Sequence, residues 1–247
     1  MPTFSIFQTK GFRLGKVNDN ITPCLDFYMN KYILFLIFIA ILFLLVFINS
    51  CFLISETLYY NTFAEQLSYE QIENLLAQGK KWEWLGYTIL PVIYLIKLSS
   101  VAGCLSIGFL YVNGQFAFKK MFGVALVAEF VFLMPTFLKI LWFLFVQTDY
   151  TLKDLQLFYP LSALHFFDYN SLETWWVYPL QTFNVFEVAY WLLLAKGIEA
   201  PLPPEGELKT TKQMDFEQSL GLVMSSYGVG LLLWIVTVMF ISVSYSV

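Results

Sequence analysis

The hydrophobic and polar positions of this chain sort into long apolar runs separated by short polar segments. Apolar runs cover about residues 32–54, 85–112, 121–147, 176–197 and 219–245. A helix rises ~1.5 Å per residue, so ~20 residues cross the hydrocarbon core of a bilayer. Each run therefore predicts a transmembrane helix. The turn Asn113–Lys120 is short, which forces the second and third runs into an antiparallel hairpin. Between the first two runs, Ser68 followed by Gln71 forms a capping box. Ile72, Leu75 and Leu76 repeat at helical spacing and Gly79 closes the pattern, predicting a short amphipathic helix over Tyr69–Gln78. Trp82 and Trp84 mark a membrane interface.

Two connectors differ in character. Thr148–Trp175 is rich in aromatics, which predicts an interfacial half-helix at headgroup level. Glu199–Gln218 has prolines and alternating charges and reads as a solvated loop. Residues 1–31 form a polar, basic arm in which Thr22-Pro23 predicts the start of a juxtamembrane helix. The predicted fold is an all-α integral membrane protein: a bundle of five transmembrane helices with interfacial amphipathic segments, preceded by this arm.

Composition agrees with that pattern. The 247 residues are 58% hydrophobic and 13% charged, with a mean hydropathy of +0.66, whereas soluble domains carry about a quarter charged residues. Net charge is −4 with no basic tract beyond the arm, so nucleic acid is not an expected partner. Cys24, Cys51 and Cys104 are three cysteines without metal-type spacing, and His165 is the single histidine. Neither a disulfide framework nor a metal site is expected, and no cofactor. With the N-terminus inside, nine basic residues (Lys10, Arg13, Lys16, Lys31, Lys119, Lys120, Lys196, Lys209, Lys212) lie on the inner side against three outside (Lys80, Lys81, Lys153). The positive-inside rule thus puts the N-terminus in the cytoplasm and the C-terminus outside.

Candidate chemistry is confined to polar groups inside the apolar runs. Lys97, Glu129, Lys139, Asn184 and Glu187 occur there, and an ionised group at bilayer depth costs roughly 2.5–3.5 kcal/mol unless it finds a partner. Counting from the inner helix ends puts Glu129 and Glu187 both at about 12–14 Å, Lys97 at about 22 Å and Lys139 at about 27 Å. Lys97 therefore reaches down toward two carboxylates that share a level, Asn184 donates a hydrogen bond into the same cluster, and Lys139 snorkels to the outer interface. Gly103, Gly108 and Gly228 are the expected close-packing positions for neighbouring helices.

The Leu-Ser-Tyr-Glu-Gln-Ile segment after the first run and Asn184-Val-Phe-Glu-Val-Ala-Tyr-Trp-Leu-Leu-Leu-Ala-Lys-Gly-Ile198 resemble the Yip1 family, particularly its bacterial branch, over roughly residues 22–245. The resemblance implies a five-span fold, with the bacterial inner membrane as the expected location. Its partner does not carry over, because the Asp-Leu-Tyr-Gly-Pro motif associated with binding lipidated GTPases is absent from this sequence.

Three functions follow as alternatives. In the first, Lys97, Glu129, Asn184 and Glu187 form a packing network in a non-enzymatic protein that docks to and organises another membrane protein or complex among membrane lipids. In the second, Glu129 or Glu187 carries a proton or ion in a transporter or motor subunit. In the third, His165 with Asp168 serves membrane-embedded catalysis at the outer face. The first is the expected function.

Overall fold

The computed structural model describes residues 31–64, 66–167, 172–199 and 214–245. The basic arm with its Thr22-Pro23 helix start, Cys24, Asp168, Lys209 and Lys212 lie outside the described residues. Within them the chain is helical: α1 (Lys31–Leu53), α2 (Glu56–Phe63), α3 (Tyr69–Asn113), α4 (Phe118–Glu129), α5 (Leu133–Phe145), α6 (Leu152–Leu157), α7 (Thr174–Thr182), α8 (Val185–Glu199), α9 (Phe216–Val223) and α10 (Val229–Tyr245). Four helical stretches are long and apolar enough to cross a membrane: Lys31–Leu53, Tyr69–Asn113, Phe118–Phe145 and Phe216–Ser244.

The second run departs from its predicted layout. Ser68 and Gln71 do form the capping box, but Gly79 does not end the helix, which runs on to Asn113 for a total of 45 residues. An interior glycine costs only ~1 kcal/mol, less than unpairing a helix turn. The stop comes at Gly114, whose φ of 70° supplies the left-handed cap. At ~1.5 Å per residue α3 is about 67 Å long, more than twice a hydrocarbon core. Its first turns carry α2, held by a 2.6 Å Glu56–Lys80 ion pair and by stacking of Tyr60 on Tyr69. That hydrogen-bonded ammonium keeps the Glu56 carboxyl below its ordinary range.

The third and fifth runs are helical but distorted. Between α4 and α5 a 3-10 turn spans Phe130–Phe132, where Pro135 has no N–H to give the carbonyl four residues back. Between α9 and α10 the chain widens into a π turn over Met224–Gly228. The hydroxyls of Ser225 and Ser226 both donate to the Leu222 carbonyl there, competing with the ordinary backbone pairing.

The fourth run is not continuous. Phe183 and Asn184 separate α7 from α8, because the Asn184 side chain caps α8 and its donors turn back on the Gln181 and Thr182 carbonyls, at 2.9 and 3.0 Å. The freed backbone groups are satisfied by the connector: Ala163 N–H donates to the Phe183 carbonyl and Val185 N–H to the Leu161 carbonyl. Leu161 adopts a φ of 57°, the left-handed region. The aromatic connector is thus α6, a 3-10 turn at Ala163–Phe166 and a short bridge to Asn184, in place of an interfacial half-helix.

The helix ends sort into two groups. Lys31 Nζ bonds the Lys119 carbonyl, Lys120 Nζ the Ile198 carbonyl, and Asn113 meets Met214; at the other end the Tyr150 hydroxyl bonds the Leu53 carbonyl. One core cluster joins α3, α4, α8 and α9 around Leu98, Leu105, Met121, Leu126, Tyr190 and Leu194, and a second joins α1 to α5 around Phe38, Leu42, Ile140 and Phe143.

Candidate functional site

The polar groups of the apolar helices meet where those helices break. Glu129 is the last residue of α4 before the 3-10 turn and is completely buried. Its Oε1 accepts from Lys97 Nζ of α3 at 2.5 Å. The ammonium also sits over the Phe132 ring, 4.3 Å from its centroid, so a cation–π contact supplements the pair. Glu187, in the first turn of α8, is buried too; its Oε1 accepts from the Trp191 indole and from the Tyr227 hydroxyl, both at 2.8 Å. Tyr227 belongs to the π turn, which sets it facing α8.

Tyrosines fill the space between the carboxylates. Tyr190 packs edge-on against Tyr227 at 5.5 Å and lies on Phe132 at 4.9 Å. Its hydroxyl is close enough to the Glu129 carboxylate to interact with it, yet that hydroxyl and Glu129 Oε2 are both buried without a hydrogen bond of ordinary geometry. From the connector Tyr159 joins the same neighbourhood, its phenol pushed up to about 12 by burial and then by the Glu187 carboxylate.

The predicted cluster is therefore assembled in part. Lys97 pairs with Glu129, and Glu187 belongs to the same array through Tyr227 and Tyr190. Asn184 does not donate into the array: its Oδ1 accepts the Glu187 backbone N–H at 2.8 Å, so it orients the carboxylate as a helix cap. Lys139 reaches into the aromatic connector, where its ammonium bonds the Leu155 carbonyl of α6. Tyr190, Trp191, Tyr227 and Tyr159 were not singled out by sequence, since aromatics at helical spacing read as ordinary core.

Of the three packing glycines, two pack. A Cβ at Gly108 would lie 2.8 Å from Ser226 Cβ, and one at Gly228 would lie 3.4 Å from the Trp191 ring. Gly103 has nothing within 4 Å among the described residues, so no described helix uses its notch. The tightest approach is at Gly197, where a Cβ would be 2.5 Å from Val124 Cγ1.

His165 has Ser162 Oγ 3.4 Å from its Nδ1 and Phe158 edge-on at 5.4 Å. It borders a cavity of about 170 Å³ shared with Phe143, Gln147 and Asp154, but the Asp154 carboxylate caps its own helix through Thr151. Among the described residues no group of three His, Cys, Asp or Glu is placed to hold a metal.

Replacing Asn184 by Ala removes the cap and frees two carbonyls, and should lower stability by about 1 kcal/mol, up to 2. Thermal unfolding in detergent reads this directly. Asn184→Asp keeps the acceptor but sets a carboxylate oxygen against the Gln181 and Thr182 carbonyls beside buried Glu187, so it should not recover the loss; an unchanged midpoint for Asn184→Ala would show that the cap is not what holds α8.

The described residues thus form an all-helical fold with four helices long and apolar enough to cross a membrane and a buried polar array at the helix breaks. Comparison with protein-family models, curated proteins and solved structures returns no match.

Proposed function

We propose that the chain is a five-crossing membrane protein without chemistry of its own, which docks to and organises another membrane protein or complex. The fifth crossing is α7 with α8, read as one discontinuous span; Trp234 of α10 bonds the Tyr178 hydroxyl of α7, as antiparallel neighbours would. The orientation keeps the N-terminus in the cytoplasm, on the basic-residue count, in a bacterial inner membrane. The five-span likeness to the Yip1 family fits this layout.

The observation that carries the docking function is the enclosure of the charges. Glu129 has no exposed surface and is engaged by Lys97, while Glu187 is held by two fixed donors. Carboxylates locked this way set the register of helices, a use to which buried polar groups are well suited. The alternative, an ion or proton carrier, draws on the unbonded Glu129 Oε2 and Tyr190 hydroxyl and on the helix breaks, which transporters use to line their sites.

Purification in mild detergent separates the two. A docking protein should bring down a second membrane protein in fixed ratio, and the isolated chain in liposomes should pass no ions. Flux by the isolated chain that Glu129→Gln or Glu187→Gln abolishes would replace docking by transport.

A further inference from the structure

The face of α3 turned away from the chain's own core carries an uninterrupted heptad seam. Leu75, Trp82, Ile89, Ile96, Gly103 and Leu110 recur every seven residues, and Gly79, Gly86, Ile93, Ser100 and Ile107 recur four residues after each of the first five. This alternation of three- and four-residue steps is that of coiled coils. The opposite side of the helix, at Leu98 and Leu105, is fully buried in the chain's core. The seam is open along its length: Leu75, Ile93, Ile96 and Ile107 are each more than half exposed, and a Cβ at Gly79, Gly86 or Gly103 would meet nothing within 4 Å. Ser100 returns its hydroxyl to the Ile96 carbonyl, so it too offers only a small surface.

We infer that α3 pairs in parallel with α3 of a second copy of this chain, through the seam from Leu75 to Leu110. Three features specify a second copy over lipid. First, the repeat is longer than a crossing: from Leu75 to Leu110 it extends about 52 Å at ~1.5 Å per residue, against ~30 Å for the hydrocarbon core, so lipid chains do not cover the whole seam. Second, Lys97 flanks the seam with 41% of its side chain exposed while its ammonium is held by Glu129; a neighbouring helix on the seam covers the exposed part and screens the ion pair from lipid. Third, two copies in one membrane present α3 in the same direction, and a parallel pair then sets Gln78 against Glu83, Leu85 against Leu90, Val92 against Lys97 and Ser99 against Cys104. None of these opposes like charges. Ser100 and Gly103 meet their counterparts at the same level, allowing the close backbone approach that helix pairs in membranes favour.

The pairing rests on the membrane reading of the chain and is independent of any other partner protein; alkaline extraction of membranes tests integration separately. The test of pairing replaces Cys51, Cys104 and Cys24 by Ser and introduces single cysteines at Ile89, Ile93, Ile96, Ser100 and Ile107. Leu95 and Val112, exposed but off the seam, serve as controls. Oxidation in native membrane vesicles should give a product of two chain masses at the seam positions and not at the controls. Gly103→Leu added to Ile96→Cys should lower that product about tenfold without altering the thermal midpoint of the separated chain, because its side chain enters open space. Products at seam and control positions alike, no product at any, an adduct with a different protein, or indifference to Gly103→Leu would each overturn the inference.

Discussion

Replacing Lys97 by Met should lower both the abundance and the thermal midpoint of the protein, and a second change, Glu129→Gln, should restore most of the loss. The asymmetry follows from burial. Glu129 is wholly enclosed, so deleting its cation leaves a carboxylate without compensation, which costs ~3–5 kcal/mol for a fully buried pair. Since Lys97 is partly exposed, the low end, about 3 kcal/mol, is expected. Glu129→Gln alone should be milder: the ammonium keeps its place over Phe132 and can still donate to the amide oxygen that replaces the carboxylate. The measurement is a double-mutant cycle on detergent unfolding, which isolates the coupling between residues in contact. Additive losses would mean that the pair does not act as a unit.

Gly197→Ala should be the most damaging single methyl in the protein. Its Cβ would fall 2.5 Å from Val124 Cγ1, 3.1 Å from Cγ2 and 3.3 Å from Cβ. Val124 is buried and β-branched, so it has no spare rotamer to yield, and α8 must shift off α4. Overpacking of this kind costs ~1–3 kcal/mol. Val124→Ala makes a small cavity by itself, but combined with Gly197→Ala it should recover more than half of the loss. If the double variant is worse than either single one, the contact is not the cause.

How far the sequence carried to this arrangement depended on whether each residue announces its own environment. A lysine and a glutamate inside apolar runs do, because water-free surroundings oblige them to find each other, and the spacing from the helix ends brought Lys97 within reach of Glu129. Tyr190 and Tyr227 announce nothing: only the π turn aims Tyr227 at Glu187, and a π turn has no simple pattern in a run such as Val223-Met-Ser-Ser-Tyr-Gly228. Asn184 was legible as polar but not as a cap, since a cap is recognised only once the break at Phe183 is known; Pro179 just upstream was the available signal. Gly79 and Gly103 mark the converse difficulty. A glycine permits a helix end or a close approach without requiring either, and here Gly79 stays helical while Gly103 faces none of the described helices.

The π turn at Met224–Gly228 also lets the last helix keep its phase despite one additional residue. It accommodates one more residue than an α-helical turn, and each residue would otherwise turn the helix by about 100°. Removing one residue from this stretch restores an ordinary turn and leaves α10 in register, so Trp234 keeps the Tyr178 hydroxyl, while Tyr227, inside the turn, loses its aim at Glu187. Of the two attachments to the broken fourth segment, the one on α8 thus depends on the extra residue and the one on α7 does not. Substitutions in this stretch preserve both, whereas a deletion of one residue breaks the attachment to α8 alone.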